Sequence, residues 1–219
     1  MKALVAEFIG TFALIFIGVG AIASDFMSGG SSGLTGIALA HGLTIAVMVA
    51  ATAAISGGHI NPAVTIGCLV TGKITAPTAA GYIVAQCLGA IVAAALVKIA
   101  VPAEALAAVG MGTPALGEGI TAVQGLVTEM VLTFFLMFVI YGAAIDKRAS
   151  KLGPLFIGLT ITLDILMGGP ISGGAMNPAR HLGPALLGGG LQNIWLYWVG
   201  PIGGAVLAAL VYHHVLEEK

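Results

Sequence analysis

Ser56-Gly57-Gly58-His59-Ile60-Asn61-Pro62-Ala63-Val64-Thr65 decides the fold, because it returns as Ser172-Gly173-Gly174-Ala175-Met176-Asn177-Pro178-Ala179-Arg180-His181. Each copy follows a glycine break in an apolar segment, one in each half of the chain. Asn is a good helix N-cap, its side-chain carbonyl accepting a backbone N–H of the first turn. Proline suits the first helical position, whose N–H would be unpaired anyway. One Asn-Pro-Ala would be an ordinary helix start; two in matching frames imply a duplicated unit. The apolar runs that follow, Asn61 to about Val70 and Asn177 to about Leu187, reach only ~15 Å as helix, half of a ~30 Å bilayer core.

Outward from these stretches the chain is 58% hydrophobic and 8% charged, with mean hydropathy +1.08, against about 25% charged in a soluble domain. Six segments, about 3–23, 34–55, 78–100, 120–142, 153–169 and 192–214, approach the ~20 apolar residues of a membrane crossing, the fifth being short. Lys2 and the apolar run after it resemble a signal peptide, but Glu7 interrupts the run and the pattern recurs at Glu129, so it reads as a retained helix. A net charge of −1 argues against nucleic acid as a partner. Cys68 and Cys87 lie in apolar segments without metal-ligand spacing and read as small packing residues. No Ser/His/Asp set, metal cluster or phosphate loop is present in the sequence, so neither an enzyme nor a cofactor or metal site is expected. The 33 glycines suit close helix contact in lipid.

Lys2, Lys73, Lys147, Arg148, Lys151 and Lys219 fall on one side of six crossings, which makes both termini cytoplasmic. Lys98 and Arg180 are the basic residues that oppose the rule. The duplication also extends upstream, since Glu7-x-x-x-Thr11-Phe12 returns as Glu129-x-x-x-Thr133-Phe134. Three crossings per unit is odd, so the second unit enters from the opposite face, an inverted repeat with its site near the midplane. The expected fold is therefore all-α: six transmembrane helices plus two re-entrant half-helices. They form one channel domain over 1–219, with halves at about 1–100 and 120–219. Residues 101–119 read as an extracellular connection broken by Pro102 and Pro114. Non-helical backbone at membrane depth needs protein or a water-filled cavity beside it. The pore centre is then Asn61, Pro62, Ala63, Asn177, Pro178 and Ala179, with each Asn amide NH2 free to face the lumen. Two half-helix N-termini, each carrying about half a positive charge, oppose cations there.

With both motifs, the repeat and all six spans in place, the chain resembles an aquaporin, a member of the major intrinsic protein family, over essentially its whole length. The resemblance implies an hourglass pore in each subunit of a homotetramer. It also implies an outer constriction of His41, twenty residues before Asn61, with Ile165, Gly174 and Arg180, which lie twelve before, three before and three after Asn177. This set, and the run Ile165-Leu166-Met167-Gly168-Gly169-Pro170, is similar to plant tonoplast intrinsic proteins. Glu7 and Glu129, with His59, are implied to support the half-helix loops. Arg180 is a charged fork that binds the permeant and repels cations. Ile165 offers an apolar wall and Gly174 leaves space, so water and neutral ammonia are the expected permeants.

A glycerol or small neutral solute facilitator is the alternative, opposed by His181 where glycerol channels carry Asp and by the pair Tyr197-Trp198. His181 reads as a structural histidine rather than a pH-dependent gate. A proton-coupled transporter built on Glu7, Glu129 and Asp164 is the second alternative, although Asp164, adjacent to Ile165 on a helix, is expected to face protein. Short tails suit a microbial plasma membrane.

Overall fold

The computed structural model describes residues 1–218, and helix is the regular secondary structure it contains. In chain order the helices are α1 (Lys2–Met27), α2 (Gly33–Ser56), α3 (Pro62–Val70), α4 (Ala76–Ala100), α5 (Ala103–Ala108), α6 (Ala122–Ile140), α7 (Gly153–Ser172), α8 (Pro178–Pro184) and α9 (Leu196–Val211). Single π-helical turns prolong α6 through Ile145, α8 through Gly189 and α9 through Leu216. Among the described residues, six helices are long and apolar enough to cross a membrane: α1, α2, α4, α6, α7 and α9. Their outward faces carry large exposed apolar side chains such as Val47, Val123 and Leu163. That inverts the surface of a soluble protein and fits lipid as the solvent.

The fifth crossing, short in the sequence reading, is a helix of 20 residues because α7 runs on through Pro170 to Ser172. Gly173, at φ 84°, ends α7, and its counterpart Gly57, at φ 89°, ends α2. Both are left-handed C-cap positions, which glycine adopts without steric penalty. The half-helices α3 and α8 hold 9 and 7 residues.

The crossings pack in pairs, α1 with α4, α6 with α9 and α2 with α7. Glycines set the closeness. A Cβ on Gly89 would lie 2.4 Å from Phe8 O, and one on Gly204 2.0 Å from Met130 O. These two contacts are the same contact in the two halves. Where α2 meets α7 the contact is reciprocal: a Cβ on Gly42 would lie 2.5 Å from Gly158 O, and one on Gly158 2.3 Å from Gly42 O. A reciprocal contact of equivalent residues is what an inverted repeat produces at its own axis.

The segment 101–119 is more structured than its prolines suggested. Pro102 precedes α5, an alanine-rich helix with Glu104 in its first turn, where a carboxylate complements the helix dipole. Leu106 and Met111 are buried, so the segment folds back onto the bundle. On the opposite side, Lys73 Nζ donates to Glu217 Oε1 at 2.5 Å and Arg148 Nη2 to Leu216 O at 2.8 Å. The basic loops and the C-terminal segment thus gather on one face, as the charge pattern requires. Lys219, counted with that face, lies outside the described residues. Lys98 is at the other end of α4, donating to Leu187 O at 3.0 Å beyond α8.

Candidate pore and constriction

The two half-helices begin at Asn caps. Asn61 Oδ1 accepts from Ala63 N–H at 2.8 Å; Asn177 Oδ1 accepts from Ala179 N–H at 3.0 Å and Arg180 N–H at 3.3 Å. The amides, expected to be wholly free for the lumen, are partly engaged. Asn61 Nδ2 donates to Met176 O at 2.8 Å, and Asn177 Nδ2 to Ile60 O at 2.9 Å. Each half therefore bonds across to the backbone of the other. One hydrogen of each NH2 remains unspent.

Those two carbonyls are aimed by an uncommon backbone. Ile60 and Met176 have φ of 55° and 51°, a left-handed conformation that is a genuine outlier for a β-branched residue. Buried carboxylates hold it in place. Glu7 Oε1 accepts from Ser56 Oγ at 2.6 Å and His59 N–H at 2.9 Å, while Oε2 accepts from Ile60 N–H at 2.6 Å and Gln86 Nε2 at 2.7 Å. Glu129 repeats three of these four bonds, from Ser172 Oγ, Ala175 N–H and Met176 N–H at 2.7, 2.9 and 2.7 Å. Tyr82 and Tyr197 complete the correspondence by donating to Ser56 O and Ser172 O at 2.9 and 2.8 Å. The side chain of Ile60 fills the space above Gly10, where a Cβ would come within 2.7 Å of it.

The four residues expected to form the constriction come together near the N-terminal turn of α8. His41 Nδ1 lies 2.8 Å from Ile37 O, and a carbonyl only accepts, so Nδ1 carries the hydrogen. His41 Nε2 then presents its lone pair to Arg180 Nη2 at 3.3 Å. The second arm of the guanidinium, Nη1, donates to Gly112 O at 2.9 Å. That oxygen belongs to a left-handed turn, with Gly110, Met111 and Gly112 at φ 55°, 59° and 61°. Gly18 lets the His41 ring approach α1 closely, since a Cβ there would come within 2.4 Å of Nε2. A Cβ on Gly174 would make contact with Ile165 at 3.4 Å, so the missing side chain leaves the aperture beside Ile165 open.

One cavity of about 510 Å³ touches all four of these residues, both capping Asn and His59, and reaches Lys73 and Lys151 at the mouth on the side of the basic loops. Ile45, Val49, Val64, Ile157 and Ile161 supply apolar wall between the polar stations. His59, expected only to support a loop, is on this wall as well. Its Nδ1 is 3.1 Å from Thr65 Oγ1, whose own hydrogen goes to Asn61 O at 3.0 Å. Cys68 also lines the cavity, beyond the packing role read from the sequence. Asp164 and His181 do not line it. Asp164 is buried, and His181 stacks on Tyr197 with ring centroids 4.1 Å apart and planes 13° apart.

Sequence reasoning passed over Gln86, Tyr82 and the Gly112 carbonyl. Gln86 could have been found as an amide inside an apolar crossing. A backbone carbonyl leaves no sequence signal.

This pattern has counterparts among known proteins. The family described as Major intrinsic protein matches residues 1–212. Aquaporin TIP4-4 from Zea mays is 46% identical, covering 97% of this chain and 85% of that protein. Probable aquaporin TIP2-2 from Oryza sativa subsp. japonica is 46% identical over 98% of this chain and 87% of its own length. The X-ray structure of the aquaglyceroporin from Plasmodium falciparum superimposes with a TM-score of 0.86 at 26% identity, covering 98% of this chain and 96% of that one.

Proposed function

The chain belongs to the major intrinsic protein family, a family of membrane channels rather than enzymes, and from that premise we propose a passive pore for water and neutral ammonia that excludes protons and other cations. The observation that carries this reading is the single cavity joining His41, Ile165, Gly174 and Arg180 to Asn61 and Asn177. Arg180 spends N–H groups on Gly112 and His41 and keeps others of its five for a permeant. A molecule with a lone pair accepts from that fork and again from the Asn amides. A cation meets the guanidinium first and two half-helix N-termini after it. Ile165 supplies no polar partner, so ammonia, with one lone pair, loses little against water. The Asn-Pro-Ala residues and the four constriction residues are proposed as the pore's working parts, with Glu7, Glu129 and His59 supporting them.

Glycerol conduction is the second reading, favoured by the fold it shares with an aquaglyceroporin and by the space at Gly174. We propose further that the subunits form a homotetramer and that the halves, about 1–100 and 120–219, act as one domain. The related proteins are plant aquaporins, so the microbial plasma membrane expected from the short tails draws no support from them. A multi-pass membrane protein is the statement that stands.

Stopped-flow permeability of proteoliposomes to water, ammonia and glycerol tests the reading. Fast water and ammonia with slow glycerol is the expected result. Fast glycerol would place the chain with solute facilitators, and ammonia flux equal to that of empty vesicles would remove ammonia from the proposal.

A further inference from the structure

Glu7 and Glu129 accept the same hydrogen bonds in the two halves, except at one place. In the first half Gln86 Nε2 bridges Glu7 Oε2 at 2.7 Å and Thr65 Oγ1 at 3.0 Å. The correspondence of Tyr82 with Tyr197 and of Gly89 with Gly204 puts Pro201 where Gln86 would stand. The correspondence of the Asn caps puts His181 where Thr65 would stand. Proline has no amide to offer. Glu129 Oε2 consequently accepts one hydrogen bond, from Met176 N–H, where Glu7 Oε2 accepts two. On the other side of the missing bridge His181 is 1% exposed, and neither Nδ1 nor Nε2 has a hydrogen-bond partner among the described residues.

A carboxylate oxygen short of a donor and a histidine ring short of partners thus occupy the two ends that a single group joins in the other half. We propose that a buried water molecule joins them, donating one hydrogen to Glu129 Oε2 and bonding one ring nitrogen of His181. Buried waters occupy polar sites that offer two to four partners, and this site offers an acceptor and a ring nitrogen that either donates or accepts. Tyr197, stacked on the imidazole and bonded to Ser172 O, restrains the plane of the ring. The water ties α8 to α6 one residue from Arg180. It is a resident of the wall, separate from the permeating file, because His181 is not on the cavity surface. The assignment is therefore independent of which solute the pore carries.

An experimental structure of the full chain at a resolution that shows ordered solvent tests this directly. Density for a water within ~3.2 Å of both a His181 ring nitrogen and Glu129 Oε2 is the expected result. A dry His181 edge, or a direct bond between His181 and Glu129, would overturn it. Two variants give a second measurement. His181→Leu removes one anchor and is expected to lower Tm in detergent by roughly 5 °C. The double variant His181→Thr with Pro201→Gln installs the first-half bridge and is expected to recover most of that loss, with no water at the site. A His181→Leu protein as stable as the parent, or a double variant no better than it, would count against the proposal.

Discussion

Arg180 carries one full charge at 4% exposure among the described residues of the bundle, and its place is fixed by two acceptors from distant parts of the chain. Two unit charges 4 Å apart interact by about 4 kcal/mol at an effective dielectric of ~20. Replacing Arg180 with Ala should therefore lower the cation barrier and raise proton conductance at least ~10-fold. Water flux should be retained, as measured by pH-sensitive dye and light scattering on the same vesicles. Unchanged proton conductance would locate the barrier at the half-helix N-termini alone. At this scale legibility in the sequence followed chemistry. Arg180, Glu7 and Glu129 stood out because a charge in an apolar segment needs a reason. Gly112 did not, because its contribution is a carbonyl turned by backbone torsions. Met111, at φ 59°, gives no hint in a residue string that it prefers that turn.

Elements were legible where an apolar run had a marked beginning. Pro62 and Pro178 started the half-helices, and Gly57 and Gly173 ended the crossings before them. Pro102 misled, and the fifth crossing was read as ending before Pro170. The first proline introduces α5 rather than irregular chain, and the second is carried inside α7, two residues before its end. Helix pairing depends on spacings that sequence shows only as abundant glycine. Those spacings can be tested. Gly89→Ala and Gly204→Ala would each drive a methyl into a carbonyl of the partner helix, and overpacking of this kind costs about 1–3 kcal/mol. Both variants should lose several degrees of Tm in detergent, and by similar amounts, because the contacts are repeat-related. Gly20→Ala is the control. A Cβ there meets nothing within 4 Å, so the gain in helix propensity, up to ~1 kcal/mol, should leave it neutral or slightly stabilised. A large loss at Gly20, or none at Gly89 and Gly204, would show that glycine spacing does not set these pairs.

Across the whole molecule the face that gathers the basic loops is held by bonds from Lys73 and Arg148 to the C-terminal segment, which charge counting located by side but not by partner. Asp146 accepts from Arg148 through Nε at 2.8 Å and Nη2 at 2.5 Å, and Arg148 reaches on to Leu216 O. The Arg148 bonds hold the Asp146 carboxyl well below the ordinary aspartate value and raise the Arg148 guanidinium in turn. Glu217 joins Lys73 and His213, each at 2.5 Å, and its carboxyl is also depressed, first of all by the Lys73 bond. A carboxyl depressed in the folded state stabilises the fold at every pH above its unfolded value, near 4, and that contribution disappears as pH falls through the folded value. Tm should consequently stay nearly level from about pH 8 to pH 5 and decline below about pH 4, with the loops over the mouth loosening first. Asp146→Asn and Glu217→Gln should each flatten part of the decline while lowering Tm slightly at neutral pH. The exposure of Arg148, at 56% of its side chain, keeps that neutral-pH effect small. Because Lys73 also lines the pore cavity, water permeability measured over the same range should change only where the Lys73–Glu217 and Arg148–Leu216 bonds release. A change near neutral pH that persists in both variants would place the responsive group elsewhere in the pore wall.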